Sequence, residues 1–233
     1  TFNQAGRTLA LNGPTGSITL DASVSDTRLI SVSGAPLRVT ASPTLTNVIV
    51  DADLLLNGSA TTFDSVTVQA GRNVVVSNNS QVTVRNGLTL NGTLTLAAQT
   101  NQTYAFLFFA NGPQTVSGTG AIVFGGDPNT ASQNILSVGN YNSEVRETVT
   151  IAETISLRGG KGTVQSATQD GFVFRGAITG SAGSDIRLTG DFNYTGESLT
   201  IDAPQGGVTV EATLRNLTLR GTPGTVVNAT SGE

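Results

Sequence analysis

The 233-residue chain contains no cysteine, histidine, methionine or tryptophan. Without cysteine there is no disulfide, no thiol nucleophile and no thiolate metal ligand. Without histidine there is no imidazole for a Ser-His-Asp triad, for general-base catalysis near neutral pH, or for a His-bound metal. Charge is sparse as well: 12% of residues are Asp, Glu, Lys or Arg, and the net charge is −4. Such a balance offers no basic footprint for nucleic acid and none for an anionic membrane. The most apolar run, Ala105 to Ala110, falls far short of the roughly twenty residues that span a bilayer, so no membrane insertion is expected.

What the chain does have is Gly, Thr, Ser, Asn and Gln around short apolar stretches. With 37% hydrophobic residues and a small net charge it is too apolar for a disordered tail. Few residues favour helix. The region from Val66 to Leu96 sets the pattern, with Val66-Thr67-Val68, Val74-Val75-Val76, Val82-Thr83-Val84, Leu88-Thr89-Leu90 and Leu94-Thr95-Leu96. Each triplet puts two side chains on one face and one on the other, the period-two signature of a half-buried strand. Ala70-Gly71, Asn78-Asn79, Asn86-Gly87 and Asn91-Gly92 separate them; Asn and Gly are the residues that turn through positive φ at least cost. Strands this short bury little in isolated hairpins, whereas stacked coils lay each inward residue on the coil below. The expected fold is therefore all-β: a right-handed parallel β-helix (β-solenoid) over residues 1–233, one elongated domain. At about 22 residues per coil and about 4.8 Å per rung, it forms roughly ten coils and a rod of about 50 Å.

Along the chain the pattern holds from Leu9-Ala10-Leu11 through Leu54-Leu55-Leu56, and again from Val149-Thr150-Ile151 to Leu217-Thr218-Leu219. The spacing from Val164 to Ile186 is expected to be one coil. Residues 99–147 are less regular. Thr103 to Phe109 carries Tyr104, Phe106, Phe108 and Phe109, read as an aromatic stack inside the coils, with an exposed aromatic shelf as the alternative. Ile135 to Arg146 reads as a loop leaving the coil. Because insertions in solenoids gather function on one side, loops 125–130 and 139–147 are the candidate partner-binding elements, with Asp127, Asn129, Asn140, Tyr141 and Glu144 as the residues to watch.

Gly162-Thr163-Val164 through Phe172, Gly176-Ala177-Ile178 and Leu188-Thr189-Gly190 resembles the coils of bacterial β-helical adhesins of the filamentous-haemagglutinin kind and of autotransporter passengers. Asp185 to Ile201 is similar to the autotransporter-associated β-strand repeat, its pattern carried by Leu188, Gly190, Tyr194 and Gly196. The NPNL and NPNG signatures of the two-partner secretion domain are missing, so the chain is not that domain. The resemblance implies a rigid stalk or adhesive surface that is exported and folds outside a bacterial cell. Its partner would be a host or matrix glycan or protein, and self-association end to end or side by side is a further expectation. No signal peptide is visible at Thr1 and no anchor at Glu233; the chain is expected to be a piece of a longer surface protein.

Parallel β-helices also carry polysaccharide lyases and hydrolases, so carboxylates need weighing. Asp51 and Asp53, two apart on a strand, would suit Ca²⁺ or glycoside hydrolysis if they shared one open face; the alternative is a solvated corner. Asp185 and Asp191 flank Arg187 and could imitate the acid–base set of pectate-cleaving enzymes. The fuller sets those enzymes use are absent. Gly125-Gly126-Asp127 lacks the tandem GGxGxDx of calcium-binding nonapeptides, and Gly159-Gly160-Lys161-Gly162 lacks the GxxxxGK[ST] of a phosphate loop. Both read as turns. No catalytic residue, cofactor or metal is expected. A carbohydrate-active enzyme or tailspike-like depolymerase is the rival to an adhesin.

Overall fold

A computed structural model describes residues 1–3, 5–13, 18–127, 129–131, 133–139, 147–166, 171–193 and 196–229. The fold is all-β, and the strands wind as a parallel β-helix. Eleven strands stack in one continuous ladder and ten in a second, marking about nine turns. Named strands pair in parallel throughout, for example Val24 beside Leu45, Leu45 beside Phe63, and Phe63 beside Val84. At about 4.8 Å per rung the stack is roughly 45 Å long.

Each coil has three faces. Face 1 holds the strands that open successive coils: Phe2–Asn3, the first half of Val24–Ser31, Thr44–Asp51, Ala60–Val68 and Ser80–Leu90, then Tyr104–Phe109, Gln133–Val138 and Lys161–Ser166, and finally the first half of Asp185–Asn193 and Val208–Arg215. We number coils 1 to 10 by these strands. Face 2 comprises the second halves of the long strands, with Gln114–Ser117, Thr148–Ile151 and Gly171–Phe174 in coils 6 to 8. Face 3 is the ten-stranded sheet.

The x-Thr-x triplets do what their period requires. Val82, Val84, Leu88, Leu90, Leu94 and Leu96 are buried, and Thr83, Thr89 and Thr95 point outward. Inward residues form columns through the core. On face 1 these are Val24, Leu45, Phe63, Val84, Phe109 and Val138; on face 3, Leu37, Leu54, Val74, Leu94, Ile122, Leu157, Ile178 and Ile201. Every member of both columns is at most 1% exposed, so each truncation would open a cavity that neighbours on two rungs cannot fill.

Between faces 1 and 2 the long strands turn in the left-handed region: Asp26, Asn47 and Ser65 do so singly with φ of 54, 52 and 55°, and Asn86 (56°) does so together with Gly87 (89°). Asn and Asp reach this region most cheaply among side-chain-bearing residues. They also bond across rungs. Asn47 Nδ2 donates to Asp26 Oδ1 at 3.0 Å, Asn3 Nδ2 to Asp26 Oδ2 at 2.8 Å, and Asn86 Nδ2 to Asp64 Oδ1 at 2.7 Å.

In coils 6 to 8 the corner is longer and the opening strand splits in two. Backbone groups that lose their rung partners are met by buried side chains. Glu147 Oε1 accepts from the N–H of Asn111 at 3.0 Å and of Gly112 at 3.4 Å. Gln114 accepts from the Gly87 N–H at 3.2 Å and donates to the Val84 carbonyl at 3.2 Å. At a different corner, between faces 3 and 1, Asn134 accepts from the Ala98 N–H at 2.8 Å.

Two expectations need correction. Gln133–Val138 is a strand, with Leu136 and Val138 inward, where a loop was expected from Ile135; its outward Ile135 had obscured the alternation. Val164 lies beside Leu188, and Ile186 beside Gly162, so the coil there is longer than the Val164–Ile186 spacing implied.

Candidate recognition surface

The side chains that point outward on face 1 of coils 5 to 10 form a chemically varied surface. In one outward column Gln81, Phe106, Ile135, Thr163 and Arg187 follow one another rung by rung; in the next come Thr83, Phe108, Ser137, Gln165, Thr189 and Glu211. Tyr104 stands beside Gln133 at the strand starts. Tyr104 is 38% exposed and Phe106 and Phe108 are half-buried, while Ala105, Leu107 and Phe109 on the same strand are fully buried. The Tyr104 and Phe106 rings stack with centroids 4.7 Å apart.

The expected interior aromatic stack is thus only partly realised. Phe109 is inside, edge-on to Phe172 at 6.1 Å, and Phe172 lies 5.4 Å from Phe174. The other three aromatics form the exposed shelf that was the alternative. In Tyr104-Ala105-Phe106-Leu107-Phe108-Phe109 both alternating sets are apolar, so period two cannot say which set is inside. Register decides: Ala105, Leu107 and Phe109 lie over the inward Ser80, Val82 and Val84. A run with apolar residues on both faces was the available signal that one set would be left outside.

Three hollows adjoin on this face. Gln81, Phe106, Phe108, Ile135, Ser137 and Gln165 line a trough of about 290 Å³. Ile135 and Gln165 also border a polar hollow of about 520 Å³ that reaches Lys161, Asp185, Arg187 and Thr189. Ala131 and Gln133 connect that one to a third, of about 320 Å³, beside Tyr104. A separate, open hollow of about 610 Å³ lies at the corner with face 2, half of its lining Thr or Ser, including Thr89, Thr115, Ser117 and Thr150.

Of the loop residues singled out from the sequence, Asp127 and Asn129 border this face. Asp127 Oδ1 accepts from the Asn129 N–H at 2.8 Å and from Asn129 Nδ2 at 3.0 Å, folding the loop on itself. Lys161 Nζ donates to the Thr130 carbonyl at 2.8 Å and pins the loop to coil 8. Asn140, Tyr141 and Glu144 lie outside the described residues. Glu147, at the end of that loop, is buried in the corner bonds described above.

The carboxylates considered for chemistry are tied into the rungs. Asp51 sits between Arg28 and Arg72, accepting from Arg28 Nε at 3.0 Å, from Arg28 Nη2, and from Arg72 Nε at 2.8 Å. The hydrogen bonds from Arg28 and then from Arg72 hold its pKa below the ordinary Asp value, against the opposing effect of burial. Asp53 Oδ1 caps the Asn73 N–H at 2.8 Å. Asp185 pairs with Arg187 at 3.3 Å, and Arg187 also reaches Glu211 at 3.5 Å. Asp191 instead pairs with Arg215 at 3.3 Å, beyond the left-handed Gly190 (φ 95°), so Asp185 and Asp191 do not line one hollow. Arg175 grips Glu197 with two bonds of 2.8 and 3.1 Å, which lowers the glutamate pKa and raises that of the arginine. Among the described residues, no three Asp or Glu side chains gather as a metal site would require.

The Gly159-Gly160-Lys161-Gly162 turn makes room for an aromatic ring. A Cβ on Gly162 would lie 2.1 Å from the Phe124 ring, and one on Gly159 would lie 2.3 Å from the Phe124 carbonyl oxygen. No protein-family model matches the chain, and neither the curated proteins nor the solved structures contain a significant match.

Proposed function

We propose that this chain is a non-enzymatic adhesive or stalk segment of a large bacterial surface or secreted protein, working outside the cell. It binds host or matrix glycans or proteins through many weak contacts along one face. The observation that carries this reading is the outward ladder of face 1, where aromatic, amide, hydroxyl and ion-paired side chains repeat rung by rung. A rod built this way presents one outward side chain per column at intervals of about 4.8 Å, and linking many modest contacts raises avidity without a deep pocket. The Cys-free composition and the adhesin-like coil pattern agree with folding in an extracellular setting. Of the acidic residues that a hydrolase or lyase would use, Asp51 and Asp191 are spent on ion pairs between rungs and Asp185 on a pair with Arg187 of its own strand.

The hollow holding Lys161, Asp185 and Arg187 supports one rival, a carbohydrate-active enzyme or tailspike-like depolymerase. A glycan and matrix-protein array, probed with the chain as monomer and displayed on beads, tests the adhesive reading. Binding that strengthens sharply on display is expected; an array blank in both formats overturns the reading. Reducing-sugar release that disappears in Asp185→Asn would put the enzyme in its place.

A further inference from the structure

Resting on the adhesive reading, we infer that the trough between Phe106 and Phe108 is a binding site for an uncharged, extended polysaccharide chain lying parallel to the rod axis. The trough runs across four consecutive rungs, from Gln81 in coil 5 past the two rings of coil 6 and Ile135 and Ser137 of coil 7 to Gln165 in coil 8. Its length along the axis is therefore three rung spacings, about 14 Å, enough for a short stretch of linked sugar rings.

The walls suit sugar chemistry. Aromatic faces attract the polarised C–H groups of a pyranose, much as they attract other positive edges. A Gln amide at either end carries both donors and an acceptor, which matches neighbouring hydroxyls. Gln81 Nε2 is anchored by a 2.9 Å bond to Thr83 Oγ1, which orients that amide before any ligand arrives.

Charge selects among polymers. None of the six residues lining the trough is ionisable. In the adjoining part of face 1, Arg187 is already shared between Asp185 and Glu211, and Lys161 bonds the Thr130 carbonyl. Lys161 and Arg187 are offset by Asp185 and Glu211, so an acidic or sulfated chain gains no net attraction. A peptide strand is a poor occupant because the strands beneath already spend their backbone N–H and C=O groups on the ladders and offer no edge to extend. A second copy of the rod would need about 800 Å² per partner for a stable interface, well beyond a trough lined by six side chains.

Affinity electrophoresis of the chain through gels containing hydroxyethyl cellulose, xylan, galactomannan, laminarin, polygalacturonate or heparin tests the inference, with sedimentation equilibrium alongside. We expect retardation by at least one of the four neutral polymers, little by the two anionic ones, and a loss of about tenfold in affinity in Phe106→Ala/Phe108→Ala. Both side chains are outside the core, and an unchanged thermal melt of the variant shows that it folds. Gln165→Ala, which leaves the rings, is expected to weaken binding less. Equal retardation of the double variant overturns this site and leaves the adhesive reading standing. Binding confined to the anionic polymers or to matrix proteins does the same. A dimer of the native chain that the double variant dissolves assigns the trough to self-association instead, while no binding to any polymer or protein sinks both readings.

Discussion

Coils 2 to 5 and coils 6 to 8 use one architecture in two ways. In the first group faces 1 and 2 are one strand bent at a left-handed residue, joined by Gly87 in coil 5, and the corner closes by side-chain bonds between rungs such as Asn47 to Asp26. In the second group the corner lengthens, the strand splits, and Glu147 and Gln114 enter the interior to satisfy the backbone groups released. The Tyr104, Phe106 and Phe108 shelf and the hollows on face 1 lie in or beside the second group. Regular coils therefore supply stiffness. Where regularity is broken, buried polar side chains must replace ladder bonds, and room appears outside for recognition.

Substitutions at five positions would break or sharpen this contrast. The largest effect is expected in the regular group, where Phe63→Ala empties a fully buried position stacked between Leu45 and Val84. Urea unfolding should show a loss of about 3–5 kcal/mol, whereas Phe108→Ala, outside the core, should cost less than about 1 kcal/mol. Equal losses would mean that the inward and outward sets are misassigned.

Next comes Glu147→Ala in the irregular group. It strands the N–H groups of Asn111 and Gly112, so a cost of about 2–3 kcal/mol is expected. Glu147→Gln keeps an acceptor and should recover much of it. If alanine and glutamine behave alike near wild type, the corner does not depend on this side chain.

Asn47→Ala should cost about 1–2 kcal/mol because alanine gains nothing at a φ of 52° and loses the bond to Asp26. Asn47→Gly should cost less. Thermal melts that rank the two in the opposite order would show that the left-handed conformation of residue 47 does not set the cost.

The smallest effect is expected at Asp51, whose arginine partners are substantially exposed; Asp51→Asn should cost about 1 kcal/mol or less near neutral pH. The folded pKa of Asp51 is depressed, so its contribution is complete above the unfolded value of about 3.9 and fades as pH falls through the lower folded value. Stability measured from about pH 6 down to about pH 2 should consequently fall less steeply in Asp51→Asn than in the native chain. Identical slopes would leave the Arg28–Asp51–Arg72 ladder without a role in acid stability.

Period-two triplets separated by Asn and Gly, with almost no helix-favouring composition, were enough to read parallel coils, because a stacked rung repeats its requirement at every turn. Val66 to Leu96 shows this most clearly: each triplet named there lies in a strand with its first and third residues inside. Asp127 and Asn129 were legible as a turn, and the structure shows their bonds closing that turn on itself.

The recognition face was not legible. Gln81, Ile135 and Gln165 are far apart in the chain and ordinary in type; they meet because parallel register lays one above another. Tyr104, Phe106 and Phe108 alternate with residues just as apolar, so sequence order alone leaves the choice of inside and outside symmetric. Packing broke that symmetry, since only Ala105, Leu107 and Phe109 continue the buried columns of the coil below. Local alternation is a property of a few neighbouring residues and can be read along the chain. Which side of a strand faces solvent, and which distant side chains share it, depends on how one coil rests on the next.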